Sequence, residues 1–283
     1  MGRTIRTGNS KASSILVVVL GTLVFATSSS APATRSSTFD PERVIQGNFQ
    51  TYAAGPYGAY TGMWGRYLPQ NDTLAAESSM RVTPGTFPRG TTFWWDVTPD
   101  PDWNGVNGYL HVAWGNYDDS PGAITPQQVK NIAALDVSID WSYNGDPSSG
   151  LLSECWLTPT PTPSGVPDRQ YEVAFFPRVS SAGASYLASL PVVGGGSFTD
   201  SNGNSWNVRE GVSGTGQPYY IAYRPSYVEF RGTLPYKDYF AFLAEAGKIT
   251  GSEWFNGLAF GVEPFSGSAS LAISDLTVHY TRM

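Results

Sequence analysis

Two of the nine glutamates in this 283-residue chain sit inside hydrophobic, strand-like runs, where an unpaired carboxylate is costly to bury. Glu172 lies in Tyr171-Glu172-Val173-Ala174-Phe175-Phe176, and Glu263 ends Leu258-Ala259-Phe260-Gly261-Val262-Glu263. Side chains of a strand alternate between its faces. Glu172 therefore shares a face with Ala174 and Phe176, and Glu263 with Ala259 and Gly261. A carboxylate beside a methyl group and a ring suits the floor of a sugar cleft, as does one on a small-residue face. Two carboxylates opposed across such a cleft are what hydrolysis of a glycosidic bond requires. One attacks the anomeric carbon, and the other protonates the leaving oxygen and later activates water. Taken singly, each glutamate also fits a rim charge or an ion-pair partner, and sequence spacing does not establish that they meet.

A third carboxylate, Glu154, shares a strand face with Trp156 in Ser153-Glu154-Cys155-Trp156-Leu157, with Cys155 and Leu157 on the other. Were that strand beside the strand of Glu172, the two carboxyls would share a proton and push their pKa values apart. A solvated edge position is the alternative. Nine Trp, 16 Tyr and 14 Phe exceed what a core of this size requires, and aromatic faces stack on pyranose rings. Trp64, Trp94, Trp95, Trp103 and Trp114 are candidates for the cleft, with the core as the competing place for each. With one cysteine, Cys155, and two scattered histidines, His111 and His279, the chain lacks the ligand spacing of a zinc site and an adjacent base for a cysteine nucleophile. No cofactor is expected.

The elements that must hold these residues read as strand and turn. Leu135, Val137, Ile139, Trp141 and Tyr143 alternate with polar residues before Asn144-Gly145. The same holds for Leu151–Leu157, Gln170–Phe176, Ser205–Val208, Tyr219–Tyr223, Leu258–Glu263 and Ser270–Tyr280. One helix is predicted around Tyr236, Tyr239, Phe240 and Leu243, with Gly247 as its left-handed cap. Thr125-Pro126-Gln127-Gln128 carries a competing helix-start signal, set against an extended connection. Residues 158–168 carry four prolines and read as an exposed loop. The expected fold is all-β: a jelly-roll sandwich of two antiparallel sheets with one short helix.

At 41% hydrophobic and 14% charged residues the chain is globular. Arg3, Arg6 and Lys11 precede the apolar run Ile15–Ala26, and Ala31 to Ala33 supply a cleavage site. Residues 1–33 thus read as an export signal, too short in its apolar part to span a bilayer, ahead of one domain over 34–283. A formal net charge of −6 without a basic run argues against nucleic acid. The expected mature protein is extracellular, without a membrane partner, and acts as a monomer. Asn71-Asp72-Thr73 is a glycosylation sequon.

These motifs resemble glycoside hydrolase family 12. Phe260-Gly261-Val262-Glu263-Pro264-Phe265-Ser266-Gly267-Ser268 is similar to that family's acid/base strand, F-G-T-E-P-F-T-G-S, and Tyr171–Phe176 resembles its nucleophile strand, Y-E-L-M-I-W. Ser205-Trp206-Asn207-Val208, Trp141-Ser142-Tyr143-Asn144-Gly145 and Met63-Trp64-Gly65 look like further family segments. The resemblance implies a concanavalin-like jelly roll and an endo-acting, retaining hydrolase of cellulose-type glucan or xyloglucan. It implies Glu172 as nucleophile, Glu263 as acid/base, and Glu154 in place of an aspartate that bonds the nucleophile. Trp64 becomes a sugar-stacking residue, and Phe176, Trp114 and Trp95 accompany it as substrate-binding candidates. Phe176 stands where the family has tryptophan and Ala174 where it has methionine, a departure that keeps a non-catalytic glucan-binding lectin in view beside a glucan transglycosylase.

Overall fold

The computed structural model describes residues 41–64, 76–98, 105–117, 124–162, 168–213 and 216–283. The leader with its cleavage site, the Asn71 sequon, Trp103 and residues 163–167 of the proline-rich stretch lie outside these residues. The strands begin with β1 (Arg43–Gln46), β2 (Thr51–Ala54), β3 (Tyr57–Met63), β4 (Ala76–Val82), β5 (Thr91–Val97) and β6 (Gly108–Gly115). Next come β7 (Gln127–Gln128), β8 (Ile132–Gly145), β9 (Gly150–Thr158), β10 (Tyr171–Arg178) and the helix α1 (Ser181–Ser189). Then follow β11 (Val192–Thr199), β12 (Ser205–Val212), β13 (Pro218–Tyr223), β14 (Gly232–Pro235) and the helix α2 (Tyr236–Glu245). The chain closes with β15 (Trp254–Phe255), β16 (Gly257–Glu263) and β17 (Gly267–Arg282).

The strands make an all-β jelly-roll sandwich. One sheet runs β1-β4-β5-β17-β8-β14, and the larger runs β11-β12-β13-β10-β9-β16-β6-β3-β2, with the short β7 and β15 attached beside β9. The alternation sorts side chains between the faces of the larger sheet. Leu110, Val112, Cys155, Leu157, Val173, Phe175, Leu258, Phe260 and Val262 point into the inter-sheet core, where Phe93, Val137, Ile139, Leu271 and Ile273 of the smaller sheet meet them. The other face is left to Tyr109, Ala113, Leu152, Ala259 and the glutamates.

Two sequence expectations are corrected, and one left open between two alternatives is decided. Residues 125–128 are extended and end in β7, because Phe255 and Trp254 of β15 pair with Gln127 and Gln128 and supply the partners a helix start would have sought from its own chain. β10 and β13 pair in parallel, not antiparallel, because the connection between them passes through α1, β11 and β12. Among the described residues there are two α-helices rather than one. The expected helix is α2, its Tyr236, Tyr239, Phe240 and Leu243 buried and Gly247 following at φ +69°. The additional one is α1, started by Ser180, whose Oγ accepts the Gly183 N–H at 3.1 Å. It is held on the larger sheet by Leu187, packed on Tyr219, Ile221 and Tyr223 of β13.

Candidate active site

Pairing places the three carboxylates on three neighbouring strands. On β10, Glu172 faces Trp156 of β9 and Ala174 faces Glu154. On β16, Ala259 faces Glu154 from the other side and Glu263 faces Gly150. Glu154 is therefore central, with Glu172 and Glu263 toward opposite ends of the flanking strands. Gly261, two residues before Glu263, admits no side chain: a Cβ there would come within 2.1 Å of the Leu110 carbonyl oxygen. The close approach of β6, through Leu110 and His111, is what requires a glycine there.

A cleft of about 520 Å³ crosses this face. It begins at Tyr60 and Trp64, passes Tyr109 and His111 of β6, then Glu263, Glu154 and Trp156, and reaches Glu172, Phe176 and Tyr219. Trp64 is 42% exposed, so its ring is available to a ligand. Trp114 and Trp95 are not in the cleft. Trp114 shares its strand face with Leu110 and Val112 and packs in the core against Phe255 and Tyr280. Trp95 lies with Phe93 and Val97 on the core face of β5, near Tyr143. In both strands the alternation that buries the aliphatic neighbours also buries the tryptophan, and Trp94 points the other way, under the Arg81 guanidinium.

The carboxyls form a linked set. The Tyr117 hydroxyl donates to Glu154 Oε1, and Glu154 in turn is hydrogen-bonded to Glu172. Burial holds Glu154 well above the usual carboxylate range, reinforced by the charge of Glu172 and by that shared bond, while Tyr117 opposes the rise. Glu154 is thus the member that keeps the proton and donates it to Glu172. Burial pushes Glu172 up to about 7, with the Glu154 hydrogen bond and the Arg169 charge pulling it down and Glu263 pushing it up. Glu263 is raised to about 8, by burial first and then by Glu154. A set of this kind contains one carboxylate that ionises and one acid that stays protonated over the same interval of pH.

Several cleft residues escaped the sequence reading. Tyr109 and His111 stack at 4.4 Å between ring centroids, and Tyr60 and Tyr117 meet His111 edge-on. His111 Nδ1 lies 3.1 Å from the Tyr109 carbonyl oxygen, and burial lowers its pKa to about 4, so the imidazole is neutral. The signal for Tyr109 and His111 was the alternation Tyr109, His111, Ala113 against Leu110, Val112, Trp114. Arg169, whose guanidinium lies 4.5 Å from the Trp156 ring centroid, precedes β10 in a stretch without periodicity.

The arrangement defines a class: a β-sandwich with a cluster of coupled carboxyls on the floor of an aromatic cleft. No protein-family model matches the sequence. Its particular likeness in fold is to glycoside hydrolases of family 12, and its curated relatives are xyloglucan-specific endoglucanases. The chain is 25% identical over 241 residues to xyloglucan-specific endo-beta-1,4-glucanase A of Aspergillus niger, covering 82% of this chain and 88% of that protein. It is 24% identical over 245 residues to the Aspergillus aculeatus protein of the same name, covering 82% and 89%. Among solved structures, the family 12 xyloglucanase from Bacillus licheniformis superposes with a TM-score of 0.68 at 17% identity, over 84% of this chain and 100% of that one. The endoglucanase 3 of Trichoderma harzianum, also of family 12, gives 0.67 at 20% identity over 85% and 98%.

Proposed function

We propose that the protein is a secreted endo-acting hydrolase of β-1,4-linked glucan, cellulose-type or xyloglucan, that retains anomeric configuration. The observation that carries this reading is the linked carboxyl set: Glu172 and Glu263 line one cleft with Glu154 between their strands. A lectin needs no such set, since burying three carboxyls together opposes folding. The curated relatives named above and the leader-like order of basic, apolar and small residues over 1–33 support the same reading.

In the mechanism, Glu263 is protonated near neutral pH and donates to the leaving oxygen as Glu172 attacks the anomeric carbon. Glu263, now a carboxylate, then takes a proton from water, which displaces Glu172. Glu154 works through Glu172: its donated hydrogen bond steadies the carboxylate before attack. Trp64 and Tyr60 offer rings on which glucosyl units stack at one end of the cleft.

Digestion of xyloglucan, mixed-linkage glucan and carboxymethylcellulose in parallel tests the reading. New reducing ends on at least one, with products of intermediate size, are expected; binding without new ends would make the protein a lectin. A second expectation concerns pH. Glu154→Gln replaces a carboxylic O–H donor by a weaker amide donor, so Glu172 ionises less readily and the acidic limb of kcat/KM moves to higher pH. Because Glu154 is neutral over this interval, the substitution takes no charge from beside Glu263, so the basic limb stays in place and the profile narrows from its acidic side. An unmoved acidic limb would leave Glu154 a purely structural role.

A further inference from the structure

A second cavity, of about 480 Å³, opens from the cleft beside Glu263 and is walled by the first half of α1. Val106, Phe176, Val179 and Phe265 give it aliphatic and aromatic walls. Its hydroxyls are engaged: Ser180 Oγ caps α1 through the Gly183 N–H, and the Tyr186 hydroxyl is bonded to that of Tyr219. Gly150, opposite Glu263 across the β9–β16 pair, keeps the floor empty although packing does not demand a glycine there. A Cβ at Gly150 would meet nothing nearer than the Arg178 carbonyl oxygen, at 3.7 Å.

The polar group left at the mouth is Glu263, the carboxyl that handles the leaving oxygen and the incoming nucleophile. A sugar pushed into the cavity would bury hydroxyls against walls whose own are already paired, at a cost for each. An alcohol with an apolar body loses nothing of that kind and gains the burial of its ring or chain. We propose that this cavity binds the apolar body of an aryl or alkyl alcohol, so that the enzyme transfers glucosyl units onto such alcohols as well as onto water. The proposal rests on the hydrolase reading above. In the step, the alcohol oxygen forms a bond to the anomeric carbon as the ester bond from that carbon to Glu172 breaks. The alcohol proton passes to the Glu263 carboxylate, and the product is an alkyl or aryl-alkyl glycoside.

The test supplies the full protein with a β-1,4-glucan oligosaccharide and either benzyl alcohol or methanol at equal concentration. The ratio of alcohol glycoside to newly released reducing sugar is read by mass spectrometry. Benzyl alcohol is expected to give a ratio about tenfold or more above methanol, as burial of a phenyl ring in the cavity requires. Ala182→Phe and Gly150→Val fill the cavity from opposite sides and are expected to bring the two ratios together while glucan is still cleaved. Ala182 is exposed on α1, so a melting temperature like that of the parent shows that its variant is folded. Equal ratios in the parent, or a benzyl preference unmoved in the folded Ala182 variant, overturn the cavity's role. Failure to cleave any β-glucan overturns the hydrolase reading and the transfer with it.

Discussion

Glu172→Ala is expected to lower turnover of a natural β-glucan by roughly 10⁴-fold or more, the scale on which removal of a nucleophile acts. The side chain sits where β10 brings it against Trp156 and within reach of the Glu154 proton, and it is the carboxyl of the set that both Glu154 and Arg169 favour as an anion. No neighbour can substitute for it: Glu154 is 6% exposed and tied to Tyr117, and Glu263 is needed as the acid. The vacancy left by alanine is open to a small anion. With azide and an activated aryl β-glycoside, turnover returns with inversion: azide bonds to the anomeric carbon from the side of the missing carboxylate as the phenolate leaves from the other, because a single displacement replaces two. Near-native activity of Glu172→Ala on a natural glucan would remove it from the reaction.

Much of this site was legible because strand alternation reports faces directly. In β9, β10 and β16 a glutamate interrupts a run whose alternate members are Cys155 and Leu157, Val173 and Phe175, or Phe260 and Val262. All of these are in the core. Once those faces are fixed, the glutamates must share the opposite one. The order of strands was not legible, since nothing local tells β9 that its neighbours will be β10 and β16. The link between Glu154 and Glu172 therefore stood as a condition until the pairing was seen.

The misplacements have a physical pattern. Trp95 and Trp114 were proposed for the cleft on residue type, yet a tryptophan satisfies core and cleft equally well, and the aliphatic neighbours two positions away decide between them. α1 was missed because Ser181–Ser189 is rich in small residues, with Leu187 as its single buried side chain. Its helicity comes from docking on Tyr219, Ile221 and Tyr223, which a local pattern does not carry. That helix also reshapes the site: Phe176, smaller than the tryptophan of the family motif, lies where the cleft and the α1-walled cavity meet.

Glu263→Ala is expected to separate substrates by their need for a proton. Natural glucans leave as poor alkoxides unless protonated, so their hydrolysis should fall by roughly 10²–10⁴-fold, the usual contribution of a positioned general acid. An aryl glycoside with an acidic phenol as leaving group needs no proton, and its first step should proceed at close to the parent rate. Its second step still needs a base to activate water. A burst of phenol followed by slow turnover is therefore expected, with azide accelerating the slow phase and yielding a glycosyl azide of retained configuration. The basic limb near pH 8, set by a carboxyl that burial keeps protonated, should vanish for the activated substrate. Retention requires Glu172 and Glu263 about 5–5.5 Å apart around a bound sugar, whereas about 6.5–9.5 Å would admit water and imply inversion. A crystal structure of the Glu263→Ala variant trapped as its glycosyl-enzyme would show the sugar joined to Glu172. A sugar bound without that ester, together with products of inverted configuration from the parent enzyme, would replace double displacement by a single one.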